Sequence, residues 1–185
     1  MIKKATFIAV AATALAGCVL SSGTRYHVVD PYLFFDRAAR GGQFPVVVIG
    51  EPFPGKQPYV EAAIIDAMNR QFPRAGGSFG AVQDAGGLHS RYVVVFNAPG
   101  RPLAQSICAN TASIAPGVGT GAGDTIYASA AYCGDGPYSS SWVSFPNPGS
   151  PDSPEFHDAM MRLVMESIPR EPDPNERKGN DPKVP

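Results

Sequence analysis

The sequence is short of the residue types by which enzymes and metal proteins are usually recognised. It holds 3 histidines and 3 cysteines in 185 residues. His27, His89 and His157 are far apart, so none sits three or four residues from another and no H-x-x-x-H or H-x-x-E-H pattern exists. Zinc would need ligands from three distant segments, so no metal and no other cofactor is expected. Charge imbalance is missing too: 15 Lys and Arg stand against 16 Asp and Glu. Without a basic excess, nucleic acid is not an expected partner. Past the first residues, apolar runs such as Val46–Ile49 and Val93–Phe96 fall far short of the about 20 residues that cross a bilayer.

What is plentiful is glycine and proline, 20 and 19 of them, which implies many turns. Two glycine-rich stretches imitate catalytic motifs. Gly76-Gly77-Ser78-Phe79-Gly80 fits G-x-S-x-G, but that motif needs a strand-to-helix turn to lift the serine. Here it follows a helical pattern and leads into Ala81–Gly87, which has none, so it reads as a loop. Gly117-Val118-Gly119-Thr120-Gly121-Ala122-Gly123 lacks the third glycine of a dinucleotide fingerprint, and no Lys-Ser/Thr follows it. It reads as a connector. The adjacent pairs His89-Ser90 and His157-Asp158 point their side chains in different directions. A hydrolase would have to assemble Ser78, His89 or Glu51 in three dimensions.

The N-terminus carries a clear address. Met1-Ile2-Lys3-Lys4 is basic, Ala5–Ala16 is uncharged, and Leu15-Ala16-Gly17-Cys18 follows. A basic segment, an apolar segment and small residues before a cut make a signal peptide, here residues 1–17. Leu15-Ala16-Gly17-Cys18 resembles the lipobox of bacterial lipoproteins. That resemblance implies diacylglycerol on the Cys18 thiol, cleavage before it and acylation of the new amine. Two or three acyl chains suffice for stable anchoring. Val19 stands where Asp favours inner-membrane retention in Gram-negative lipoproteins, which implies the outer membrane, facing the periplasm. Cleavage removes 17 of 185 residues, two of them lysines, and leaves a mildly acidic mature chain of one-domain length.

With Cys18 lipidated, Cys108 and Cys133 remain in an oxidising compartment, where two thiols usually pair. The bridge would close a loop of about 25 residues, worth roughly 3 kcal/mol in the chain-entropy model. The competing reading, a catalytic thiol, needs a nearby basic group. Neither Ser106-Ile107-Cys108 nor Tyr132-Cys133-Gly134 supplies one locally.

Residues 18–44 are read as the lipidated cysteine and a tether. Within them Tyr26–Phe35 is rich in aromatics and interrupted by Pro31, so it is either an edge strand or a segment lying on the core. Tyr32, Phe34 and Phe35 are the candidate partner contacts, because exposed aromatics anchor interfaces; the competing view has them covering the sheet. Residues 45–168 form one domain. Pro45–Ile49 reads as a buried strand and Arg91–Asn97 as the strongest strand. Gln57–Phe72 has apolar residues at helical spacing, and Pro102–Asn110 is a short helix. Thr125–Cys133 and Ser140–Phe145 flank Gly134-Asp135-Gly136-Pro137, an antiparallel hairpin signal. Ser153 and Pro154 start a last helix with Phe156, Met160, Leu163, Val164 and Ile168 on one face. The order β-α-β-α-β-β-α implies an α+β domain, a small mixed sheet packed with helices and stapled by a disulfide. Gly50-Glu51-Pro52-Phe53-Pro54-Gly55-Lys56 follows a strand and precedes a helix, a place where α/β sheets bind ligands. Glu51, Phe53 and Lys56 are its candidate contacts; stiffening of a tight turn by proline is the structural alternative. Residues 169–185 are proline-rich and charged, with Val184 the one aliphatic side chain, and are expected to be a disordered tail.

Gly50-Glu51-Pro52-Phe53-Pro54, Arg91–Asn97, Ala131-Tyr132-Cys133 and Asp152-Ser153-Pro154-Glu155-Phe156 are similar, in this order, to segments of small Gram-negative envelope lipoproteins. The resemblance implies no catalytic residues. The expected function is a membrane-anchored envelope protein that binds or scaffolds another envelope component without catalysis. The alternative is a minor periplasmic hydrolase with a site built from distant residues.

Overall fold

A computed structural model describes residues 19–73, 78–83, 87–117, 119 and 124–168. The signal peptide, Cys18 and the tail from residue 169 lie outside the described residues. In chain order the elements are β1 (Leu20–Ser21), β2 (Arg25–Tyr26), α1 (Pro31–Arg40), β3 (Phe44–Ile49), α2 (Gln57–Gln71), β4 (Phe79–Ala81), β5 (Arg91–Phe96), α3 (Ala104–Ala109), β6 (Thr125–Cys133), β7 (Pro137–Pro146) and α4 (Pro154–Ser167). A single 3-10 turn, Thr111–Ser113, follows α3.

The strands form one mixed sheet in the order β1-β7-β6-β5-β3-β4, with β2 also paired to β7. β4, β3 and β5 run parallel, whereas β6 and β7 return antiparallel. This is the α+β mixed sheet that the sequence predicts. β5 sits inside the sheet and is buried along its whole length, which explains its unbroken apolar run. From β3 onward the predicted order holds, with the three-residue β4 added between α2 and β5.

The N-terminal segment differs from its expectation in two ways. Residues 20–26 are not a free tether: Leu20 pairs with Ser144, and Arg25 with Ser140, on the outer side of β7. Ser21 Oγ donates to Glu166 at 2.8 Å and fastens the same segment to α4. The aromatic stretch is not a strand beyond Tyr26. Pro31 opens α1, where its missing N–H is harmless, and the Asp30 carboxylate accepts a hydrogen bond from Leu33 N–H at 3.3 Å. Arg37 and Arg40 in the last turn suit the negative end of the helix dipole.

Strand alternation sends side chains to two unlike faces. Phe44, Val46, Tyr92, Val94, Phe96, Ile126, Ala128, Ala130 and Tyr132 meet α1, α2 and α4 in the main core. Tyr92 ends there on Ser167, with hydroxyls 2.6 Å apart. The other face carries Val47, Val93, Val95, Ala131 and Cys133 under α3. That second core is small, and a disulfide crosses it. Cys108 of α3 bonds Cys133 at the end of β6, with Cα atoms 5.4 Å apart, as the leftover-thiol argument predicts.

Candidate functional site

Of the candidate contact and catalytic residues singled out in the sequence, the described ones are not brought together into one site. Phe35 is 2 % exposed and lies at the centre of an aromatic cluster with Phe44, Phe72, Phe79 and Tyr132. It is a core residue, which corrects its reading as a partner contact. Helix α1 turns it inward while leaving Phe34 42 % exposed, tilted against Tyr138 at 4.8 Å. Tyr32 is partly buried.

The Gly50–Lys56 loop is built as a structural turn. Phe53 is 4 % exposed and packs edge-on against Phe156. Glu51 accepts a hydrogen bond from Gly55 N–H, so its carboxylate closes the loop on itself. Lys56 is exposed and supplies no side-chain cap to α2. Residues 117 and 119 of the second glycine-rich stretch pack directly onto this turn. Glu51 N–H donates to Gly117 C=O at 3.0 Å. A Cβ on Gly50, which has φ +88°, would stand 2.6 Å from the Phe96 carbonyl, and one on Gly119 would stand 2.7 Å from that of Pro52. The two loops that most resembled ligand sites thus need glycine to approach each other. The strand end is covered by the chain's own backbone.

The hydrolase candidates fare similarly. Ser78 stands just before β4, not on a strand-to-helix turn, and its carbonyl accepts from Phe44 N–H. His89 faces Asp135 at 3.2 Å with both side chains exposed. His27 meets the Ser140 hydroxyl at 2.9 Å. Among the described residues no hydrogen bond joins Ser78, His89 and Glu51, and no group of three His, Cys, Asp or Glu is placed to hold a metal ion. None of the described helices is long and apolar enough to cross a membrane.

The sheet does carry a cavity, on the disulfide face. It has a volume of about 710 Å³. Val47 and Ile49 of β3, Leu88 and Ile114 supply its apolar lining; Gln83, Asn110, Thr111 and Ser113 supply polar groups. Arg91, the first residue of β5, lines it as well. Arg91 pairs with Cys133 across the sheet, so alternation places it on the same face as Val93 and Val95. It is 9 % exposed. Its Nη1 donates to Leu88 C=O at 2.6 Å and its Nη2 to Cys108 C=O at 2.5 Å. Nε has no partner. Burial pushes the guanidinium below its ordinary value. Thr111 Oγ1 donates to Ile107 C=O at 2.7 Å, so Arg91 and Thr111 together satisfy carbonyls at the end of α3.

Further along the same face, on β6 and β7, Tyr127 stacks on Trp142 at 5.5 Å, and the Arg101 guanidinium lies 4.5 Å above the Tyr127 ring. Neither Arg91 nor this stack stood out in the sequence as a site. The one signal for Arg91 was a charge in phase with the inward valines of the central strand.

Compared with known protein families, curated proteins and solved structures, the chain matches none.

Proposed function

We propose that the chain is a lipid-anchored protein of the bacterial envelope, on the periplasmic face of the outer membrane, whose folded domain binds and does not catalyse. The observation that carries the binding reading is the lining of the cavity on the disulfide face. Its described lining holds the Thr111 and Ser113 hydroxyls but no His, Asp, Glu, Lys, Tyr or Cys to activate them, and apart from Arg91 its groups are apolar or neutral polar. Such a lining suits a bound molecule held by shape and a few polar contacts.

The anchored reading draws support from the N-terminal edge. Only Val19 stands between Cys18 and β1, so a lipid on Cys18 would leave almost no leash. Five of the seven exposed large hydrophobics among the described residues, Leu20, Tyr26, Val29, Leu33 and Phe34, fall within residues 20–34. Tyr26 pairs with Ser139 and Phe34 packs on Tyr138, so both lie at the start of β7. An anchor so close to the sheet would hold this apolar edge against the membrane and the components seated there.

Turnover assays separate binding from catalysis. Purified protein is expected to leave ester, peptide and glycan substrates unchanged. Hydrolysis lost on Ser78→Ala or His89→Ala would replace this reading with that of a hydrolase.

A further inference from the structure

We infer that the cavity on the disulfide face binds an organic carboxylate with a compact apolar body, and that Arg91 receives the carboxylate. The inference rests on the binding reading above and gives it a ligand class.

A guanidinium carries five N–H donors in a rigid fork and stays protonated in proteins. Arg91 uses one N–H of each terminal nitrogen on the carbonyls of Leu88 and Cys108. Both acceptors are neutral, and Arg91 forms no ion pair with any described residue. A cation nine-tenths buried without a counter-charge among the described residues is an unusual arrangement, because buried charges are normally paired. The remaining N–H of each terminal nitrogen supplies the pair of donors that a carboxylate takes in fork geometry, while Nε is enclosed by protein.

The surroundings select the rest of the ligand. Arg91 is the one charged residue in the described lining, and no described lining residue repels an anion. Asn110, Thr111 and Ser113 lie on one side as further polar groups, and Val47, Ile49, Leu88 and Ile114 offer apolar surface for an aliphatic or aromatic body. Inorganic phosphate would meet the charge and leave that apolar surface wet. A neutral apolar molecule would fill the space and leave the guanidinium unpaired. A carboxylate on a compact apolar body satisfies both. The site is braced from behind: the carbonyl held by Arg91 Nη2 belongs to Cys108, which is bonded to Cys133. The fork is therefore fixed before any ligand arrives, and this lowers the ordering cost of binding.

The test is ligand-observed fluorine NMR on the purified full-length protein with its disulfide intact. The probes are fluorobenzoate and its neutral isostere fluorobenzamide. Fluorobenzoate is expected to bind and fluorobenzamide to bind about 10- to 100-fold more weakly, the factor a charge-assisted hydrogen bond supports. Arg91→Lys, which keeps the charge and loses the fork, should weaken fluorobenzoate about 10-fold or more. Because Arg91 also holds α3, a second variant leaves it in place: Ile49→Trp fills the cavity and should abolish binding. Equal binding of the two probes, displacement of fluorobenzoate by inorganic phosphate at matching affinity, or wild-type binding by Ile49→Trp would each overturn the inference. Hydrolysis of a fluorobenzoate ester, supplied to the protein in a separate sample, would instead overturn the binding reading, so the two failures are distinguishable.

Discussion

At the scale of single residues, burial decides what a side chain does, and Phe34 and Phe35 show how sharply it divides neighbours. Phe35 touches Phe44, Phe72, Phe79 and Tyr132, so truncating it opens a hole at the meeting point of α1, β3 and β6. Phe35→Ala should cost about 3–5 kcal/mol, as large aromatic truncations in cores do, and lower the melting temperature by many degrees. Phe34→Ser removes one half-exposed ring contact with Tyr138 and should cost far less. Thermal melts of the two variants check this; equal losses would place Phe34 in the core as well. Arg91 is the opposite case. It is buried yet charged, and among the described residues it bonds to backbone carbonyls and to no acid.

At the scale of elements, the main face and the disulfide face are built on different terms. Three long helices cover the main face. The short α3 covers the other with Ile107 and Cys108, too little apolar area to hold a six-residue helix by packing alone. The bridge to Cys133 supplies the difference. Replacing Cys108 and Cys133 with alanine together should cost roughly 2–5 kcal/mol, read from denaturant melts. Alkylation of the native, unreduced protein should find neither thiol free; labelling of both would contradict the bridge. Legibility in the sequence follows element length. β5, the β6–β7 hairpin and α4 were visible because a long periodic run, a glycine-rich turn and a Ser-Pro start each act locally. α1 is not legible, because Tyr32, Phe34 and Phe35 are good strand residues and Pro31 equally suits the interruption of an edge strand. The local clue was Asp30 before Pro31, a helix cap followed by a first-turn proline. β1, β2 and β4 are two or three residues long and owe their existence to distant partners on β7 and β3, which no local window contains. The cavity is hidden for the same reason. Val47, Arg91 and Thr111 come from three separate segments, and only the sheet register and the disulfide bring them to one place.

At the scale of the whole molecule, the proposed function joins an anchor on Cys18 to a binding domain. The chain from Cys18 to Leu20 spans at most about 7 Å at roughly 3.5 Å per residue, about the thickness of one headgroup layer. The sheet edge formed by β1, β2 and β7 would then rest at the membrane surface, and its exposed apolar side chains would contact it directly. All of this depends on the lipid being on Cys18. The most direct measurement is the intact mass, with N-terminal fragments, of the protein extracted from the envelope of a Gram-negative host. The account predicts a chain that begins at Cys18 and carries diacylglycerol plus an amide-linked acyl group, and a Cys18→Ser protein that stays uncleaved and unacylated. A mature chain that begins elsewhere, or one that begins at Cys18 with no acyl mass, would contradict it.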